Sequence, residues 1–536
     1  MQSRRDWLLA LAASAAGQAG IAGQTRPDGG RPSMTPSPPG NLRLEIAARD
    51  GAAGALFPEQ SAEFDLFLRN TGSAAASAIK ITGNFTTPAY VLFDAKGAEI
   101  GRYTVAHLMA QGGLDLGTKR PPATQTVQIP PGRASQTKFD VWGFVRPYPP
   151  GRYAVQVDHL ISQGGPVISS NRLPFEIVPA RVSSAAAGYD NAGRSASVLA
   201  WLASGADGAG NGRLLVRLST PKGHTFLAAG ASSHGEFPAG SRVAVAQMAA
   251  GVEEGGLGWV AVASPRQVVV IRHNLSYPFW RSPAIPLPLD NPVPVPRFPD
   301  MDEDAIFLAT GAAGKGGVLV GVPVNQPKGA AAPWSVPIST VPALAACMAK
   351  LKRTISVLLV DNSPSGSRIS RMELTLAGKV LSPEKVVRSS ANQVAGVAPG
   401  LDPASGSFLV VETPAGHPDR YAAVRIPQGG SAQAGKMETI AAWPKDHDGN
   451  PAAPQSLFVE ELSETSVGIA FTVAGGAFYG GRLTPKAMLY KVRDDPASPC
   501  SFPHLAALSQ NITPACFTAE GRLFFAGERA GETAER

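Results

Sequence analysis

The feature that most constrains this chain is a repeat. After residue 183 one pattern returns: an apolar run, a Gly-, Pro- or Asp-rich turn, then a second apolar run. The first runs begin at Val198, Trp259, Ile306, Ile355, Phe408, Val467 and Cys516, so 318 residues fall into six intervals averaging 53. Two units show a fuller pattern of four strands. One has Gln393 to Ala398, Phe408 to Thr413, Tyr421 to Ile426 and Lys436 to Trp443; the other has Leu457 to Leu462, Val467 to Val473, Ala477 to Leu483 and Ala487 to Val492.

A single four-stranded sheet cannot cover both of its apolar faces, whereas sheets stacked radially cover each other and leave short edges. Four strands recurring about every 50 residues predict a β-propeller. Seven units predict seven blades, with six or eight as alternatives because the first two units are the least regular. A β-solenoid is the rival architecture, though its repeats are normally shorter. The last unit lacks a clear outer strand, so Arg181 to Ala187 or Ala196 to Trp201 is expected to complete it and close the ring. The recurring signatures of WD, sialidase-type and kelch blades are absent.

Composition agrees with an all-β chain. Gly (58) and Pro (48) together exceed ordinary usage, and charged residues are only 17%, against roughly 25% in typical domains. Between Leu42 and Val182, short period-2 runs alternate with turns: Leu42, Leu44 and Ile46; Phe64, Leu66 and Leu68, running into Asn70-Thr71-Gly72; then Tyr90 to Phe93, Thr126 to Ile129, Lys138 to Trp142, Arg152 to Val157 and Leu173 to Val178. These predict an antiparallel sandwich. The segment Pro149-Pro150-Gly151-Arg152-Tyr153-Ala154-Val155 resembles the late strand of immunoglobulin-like domains, and Asn70-Thr71-Gly72 adds to the likeness. The resemblance implies that Tyr153 is buried and bonds back to the preceding corner.

The start, Ser3-Arg4-Arg5-Asp6-Trp7-Leu8-Leu9 before the Ala-rich run 10–22, resembles a twin-arginine export signal. That resemblance implies a bacterial protein exported already folded, to the periplasm or outside the cell; an amphipathic first helix is the alternative. The expected organisation is a signal over 1–23, a Pro/Gly-rich linker over 24–40, an immunoglobulin-like sandwich over 41–182 and a propeller over 183–536. No transmembrane segment is expected in the mature chain, because no later stretch reaches about 18 uncharged apolar residues. The net charge of +7 is spread thinly, without a basic stripe, which excludes nucleic acid as the expected partner.

Candidate chemistry is sparse. Cys500 and Cys516 lie 16 positions apart, and a disulfide between them is expected, two buried thiols being the alternative. Cys347, in an apolar run, reads as a buried thiol. The absence of Cys-x-x-Cys excludes haem attachment and structural zinc as expectations. Asp446, Asp448 and Asn450, at alternate positions of Asp446-His447-Asp448-Gly449-Asn450, suit the hard oxygen donors that Ca²⁺ prefers. A solvated turn between blades is the plainer alternative, as it is for the acidic run 300–304. Ser232, His234 and Glu236 supply the residue types of a catalytic triad but within five residues, and Gly-x-Ser-x-Gly is absent. The expected function is a non-enzymatic binding scaffold that presents sandwich and propeller loops to a protein or cell-envelope partner. A Ca²⁺-dependent hydrolase or lactonase with its site in the central channel is the alternative.

Overall fold

The computed structural model describes residues 41–525 with interruptions, the longest at 81–88, 105–125, 141–148, 190–196, 220–230, 248–257, 324–331 and 429–438. The expected signal and linker lie outside the described residues. Every described element longer than a single turn is a strand. The chain divides into two compact units, Met1–Val178 with Gly223–Ala231, and Pro179–Lys222 with Ser232–Arg536.

The first unit is a β-sandwich. One sheet pairs Leu42–Ala48, Glu63–Asn70 and Ala134–Asp140. The other runs Leu173–Ile177, Gly151–Leu160, Ala89–Phe93 and Glu99–Thr104, with Val167–Ser169 also on Gly151–Leu160. Alternation buries Leu44, Ile46, Phe64, Leu66 and Leu68 on one sheet against Tyr90, Leu92, Val155, Val157 and Phe175 on the other, in one core. Asn70, fully buried, donates to the carbonyls of Ala74 (2.7 Å) and Ile129 (2.8 Å) and accepts from Gly72 N (2.9 Å), which fixes the Asn-Thr-Gly turn. Tyr153 Oη donates to the Pro149 carbonyl at 2.7 Å. Its ring is half-buried rather than buried, stacked on Phe175 at 5.7 Å.

The second unit is a succession of antiparallel sheets. The first holds Ala180–Tyr189, Ser197–Gly205, Gly212–Ser219 and Ser232–Phe237; the second, Arg242–Gln247, Gly258–Ser264, Gln267–His273 and Pro278–Arg281; the third, Arg297–Met301, Asp304–Ala313, Gly316–Pro323 and Trp334–Ile338. The fourth holds Leu344–Lys350, Thr354–Ser363, Gly366–Thr375 and Val380–Ser390; the fifth, Gln393–Pro399, Phe408–Thr413, Arg420–Ile426 and Thr439–Ala442; the sixth, Pro454–Ser463, Ser466–Val473, Phe478–Leu483 and Met488–Arg493. The last holds Ser501–Leu508, Asn511–Phe517 and Leu523–Phe525. In the first six sheets the second strand is the apolar run found in the sequence, because that strand is covered on both faces; in the last sheet the run expected from Cys516 begins only where the second strand, Asn511–Phe517, ends. Ile355 to Val360 are all buried, odd positions facing the third sheet and even positions the fifth.

First strands of successive sheets lie against one another in order, and Ser501–Leu508 of the last lies against Ala180–Tyr189 of the first. The succession therefore closes into a ring, the propeller arrangement. Its closure differs from the expectation. Arg181 to Ala187 and Trp201 pair within the first sheet and donate no strand to the last. Instead the two sheets meet face to face: Trp201 packs on Phe517 with ring centroids at 5.2 Å, and Ala180 N donates to the Glu520 carbonyl at 3.1 Å. The second and third sheets add a feature that the periodicity did not reveal, a parallel pairing of Val245, Ala246 and Gln247 with Arg297, Phe298 and Pro299.

Candidate functional site

The fourth sheet ends in a polar cleft. Its second strand stops being apolar at Val360 and continues as Asp361-Asn362-Ser363, followed by Pro364-Ser365-Gly366-Ser367-Arg368. Register places Asp361 across from Arg368 and Arg368 across from Ser389, so a carboxylate, a guanidinium and a hydroxyl stand in one cross-strand row. Asn362, Ser367 and Ser390 form the row beside it. Residues 364–365 and 391–392 both turn at this end of the sheet, because the strands they leave, Thr354–Ser363 and Val380–Ser390, are each antiparallel to Gly366–Thr375 between them and so run the same way. Together Asp361, Ser363, Ser365, Arg368, Ser389 and Ser390 border an open cleft of about 530 Å³.

The cleft is held by bonds to the fifth sheet. Asn362 Nδ2 donates to the Val394 carbonyl (2.9 Å) and its Oδ1 accepts from Val394 N (3.2 Å), while Gln393 Nε2 donates to the Ser363 carbonyl (2.6 Å). Gly366 is required where the hairpin approaches the outer strand: its φ is 134°, and a Cβ there would meet the Ser390 carbonyl at 2.1 Å. Behind it, the buried Glu412 carboxylate takes both arms of Arg388 (Nε to Oε1 2.8 Å, Nη2 to Oε2 3.0 Å) and Asn392 Nδ2 (2.8 Å). Toward the third sheet, Glu384 accepts from Ser339 N (2.7 Å), Ser339 Oγ (2.6 Å) and Ser370 Oγ (2.7 Å). Burial by itself would push the Glu384 carboxyl up, but these bonds and the nearby Arg368 charge outweigh it and hold the group below the usual carboxylate range.

Chemically, the cleft offers hydroxyls, one carboxylate and one guanidinium at its rim. Its lining contains no histidine to activate a serine. That inventory suits reversible recognition of a polar ligand or chain segment. The sequence signal for it was the Ser-rich turn 361–368, which as a sequence is indistinguishable from an ordinary solvated hairpin turn.

The residues singled out from the sequence are placed as follows. Asp448 and Asn450 are exposed on a turn after the fifth sheet, and Asp446 lies outside the described residues. Among the described residues no group of three or more His, Cys, Asp and Glu is gathered as a metal site would require. Side chains of the acidic run 300–304 are outside the description. His234 is buried while Glu236 is exposed and faces Arg213 at 3.5 Å, so these two do not converge. Cys347 is buried between the third and fourth sheets. Cys500 and Cys516 are brought together in one core as buried free thiols.

No family model and no curated protein matches this chain. Among solved structures it is similar to BBS1N in its complex with ARL6DN, at 11% identity over 61% of this chain and 86% of that one, with a TM-score of 0.34. It is also similar to a puromycin hydrolase variant complexed with PGG (13% identity, 66% and 54% coverage, TM-score 0.35) and to a lectin from Burkholderia pseudomallei (14%, 63% and 93%, TM-score 0.34). At these scores the fold rests on the sheet topology above, not on the likeness.

Proposed function

We propose that this chain is an exported, non-enzymatic binding scaffold that presents its loops to a protein or other cell-envelope component, and that the cleft of the fourth sheet is a contact point. In this reading the second unit is a propeller of seven blades, the first is immunoglobulin-like, and Ser3-Arg4-Arg5 addresses the chain out of the cytoplasm. The observation that carries the proposal is the Asp361–Arg368–Ser389 row. It stands at the solvent end of a largely apolar strand, and hydrogen bonds to both neighbouring sheets tie this sheet down beside it. Preorganised polar groups of this kind bind with little ordering cost.

The test is retention of the purified mature chain on isolated cell envelopes. Wild type is expected to bind saturably, and Ser389→Trp, which fills the cleft, or Arg368→Glu, which reverses its charge, is expected to bind at least tenfold more weakly with an unchanged melting temperature. Saturable binding that ignores both substitutions, or none by wild type, would overturn the proposal. Calcium separates it from the hydrolase alternative: on the scaffold reading, EDTA leaves both binding and melting temperature where they were.

A further inference from the structure

The dithiol of the last sheet, packed against the sixth, carries an inference independent of the binding proposal. Cys500 directly precedes Ser501–Leu508, and its backbone N donates to the Gly476 carbonyl at 2.8 Å. Cys516 lies in Asn511–Phe517, the neighbouring strand. Ser501 pairs with Phe517, which puts Cys500 and Cys516 on one face of the ladder as diagonal neighbours. The ladder bulges between Ser501 and His504. Both side chains enter the same small core with Leu462, Ala470, Phe478 and Leu505. The charge of Arg493 acts on both thiols. The Arg493 side chain is held by Asp495 at 2.8 Å and over the Phe524 ring at 5.2 Å, and its buried Nε has no hydrogen-bond acceptor among the described residues.

We propose that Cys500 and Cys516 are a redox pair that closes into a disulfide, with Cys500 as the attacking thiolate. The oxidant is a disulfide-bearing compound or protein. Cys500 Sγ attacks one of its sulfurs and expels the other as a thiolate, giving a mixed disulfide. Cys516, losing its proton to solvent, then attacks the Cys500 sulfur and expels the second oxidant thiolate. The pair gives up two electrons and two protons, and one oxidant disulfide becomes two thiols. The order of attack follows from access. Cys500, just before its strand, keeps 6% of its surface exposed, whereas Cys516 is fully buried and that burial pushes its thiol up. Because both thiols are buried, the reaction requires local opening of the last sheet, and the finished bond resists reduction. Cys347, in a separate core, stays reduced.

Oxidised glutathione supplies the test in vitro, without reference to export. After treatment, denaturation and alkylation, the expected result is one alkylated cysteine, Cys347, with Cys500 and Cys516 recovered in a single linked peptide. Cys516→Ala is expected to trap a glutathione adduct on Cys500 faster than Cys500→Ala traps one on Cys516. Dithiothreitol is expected to lower the melting temperature of the oxidised wild type and of Cys347→Ser by several degrees. Three alkylatable thiols after treatment, or a stable adduct in wild type, would overturn the pairing; adducts forming equally fast on either cysteine would overturn the assigned order.

Discussion

His504 shows what one buried side chain does to the acid stability of the ring. Its Nδ1 lies 3.0 Å from the Phe502 carbonyl and so carries the proton of the neutral ring, which leaves Nε2 buried with no partner among the described residues. Burial, with the Arg217 charge adding to it, pulls the imidazole down to about 4 despite the bond to Phe502. The unfolded chain, with an ordinary value near 6.5, therefore binds the proton first. The contribution is whole above about pH 6.5 and declines as the pH falls toward 4. Urea unfolding is expected to show a loss of about 2 kcal/mol between pH 7 and pH 5 that His504→Gln does not share. The Arg388–Glu412 pair gives a second residue-scale expectation. Arg388 is 22% exposed and can turn to water, but Glu412 is 1% exposed and cannot. Arg388→Met is thus expected to cost about 3–5 kcal/mol and Glu412→Gln about 1–2, and the opposite order in urea midpoints would mean the carboxylate is solvated. Neither pairing was legible in the sequence. Arg388 and Glu412 stand 24 positions apart, and nothing in their local pattern links them.

At the scale of elements, the apolar runs of the first six sheets were legible because the second strand of each is buried on both faces. The run from Ile355 to Val360 reads as a covered strand because it is short, rich in β-branched residues and ended by Asp361-Asn362-Ser363-Pro364. Connections that ignore the repeat were not legible. The stretch 283–299 places a proline at seven positions, yet it buries Leu287, Leu289 and Val295 in the core of the second and third sheets and leads into the parallel pairing at Arg297. Contacts between sheets were equally silent. Trp334, on the outer strand of the third sheet, donates Nε1 to the Leu376 carbonyl of the fourth at 2.8 Å. Its ring lies between Gly321 and Gly378, where an added Cβ would come within 2.1 and 2.4 Å of it. Gly321→Ala and Gly378→Ala are each expected to destabilise the ring by about 2 kcal/mol or more, the second also through its φ of +79°. Trp334→Ala is expected to relieve both clashes, so each double substitution costs less than the sum of its singles.

For the whole molecule, the recurrence of four-stranded sheets was readable, and the manner of ring closure was not. A repeat announces that sheets stack; it does not say whether the ends share a strand or meet face to face. The address is a whole-molecule property as well. Fractionation of cells expressing Arg4→Lys with Arg5→Lys is expected to find the chain in the cytoplasm, while the unaltered chain is exported; export of both would remove the twin-arginine reading. Everything proposed for the loops depends on the ring being closed, and closure brings Trp201 of the first sheet onto Phe517 of the last. A double-mutant cycle by urea unfolding of the mature chain, with Trp201→Leu and Phe517→Leu, measures that contact directly. A closed ring predicts a coupling of about 1 kcal/mol between two positions more than 300 residues apart, and losses that simply add would contradict it.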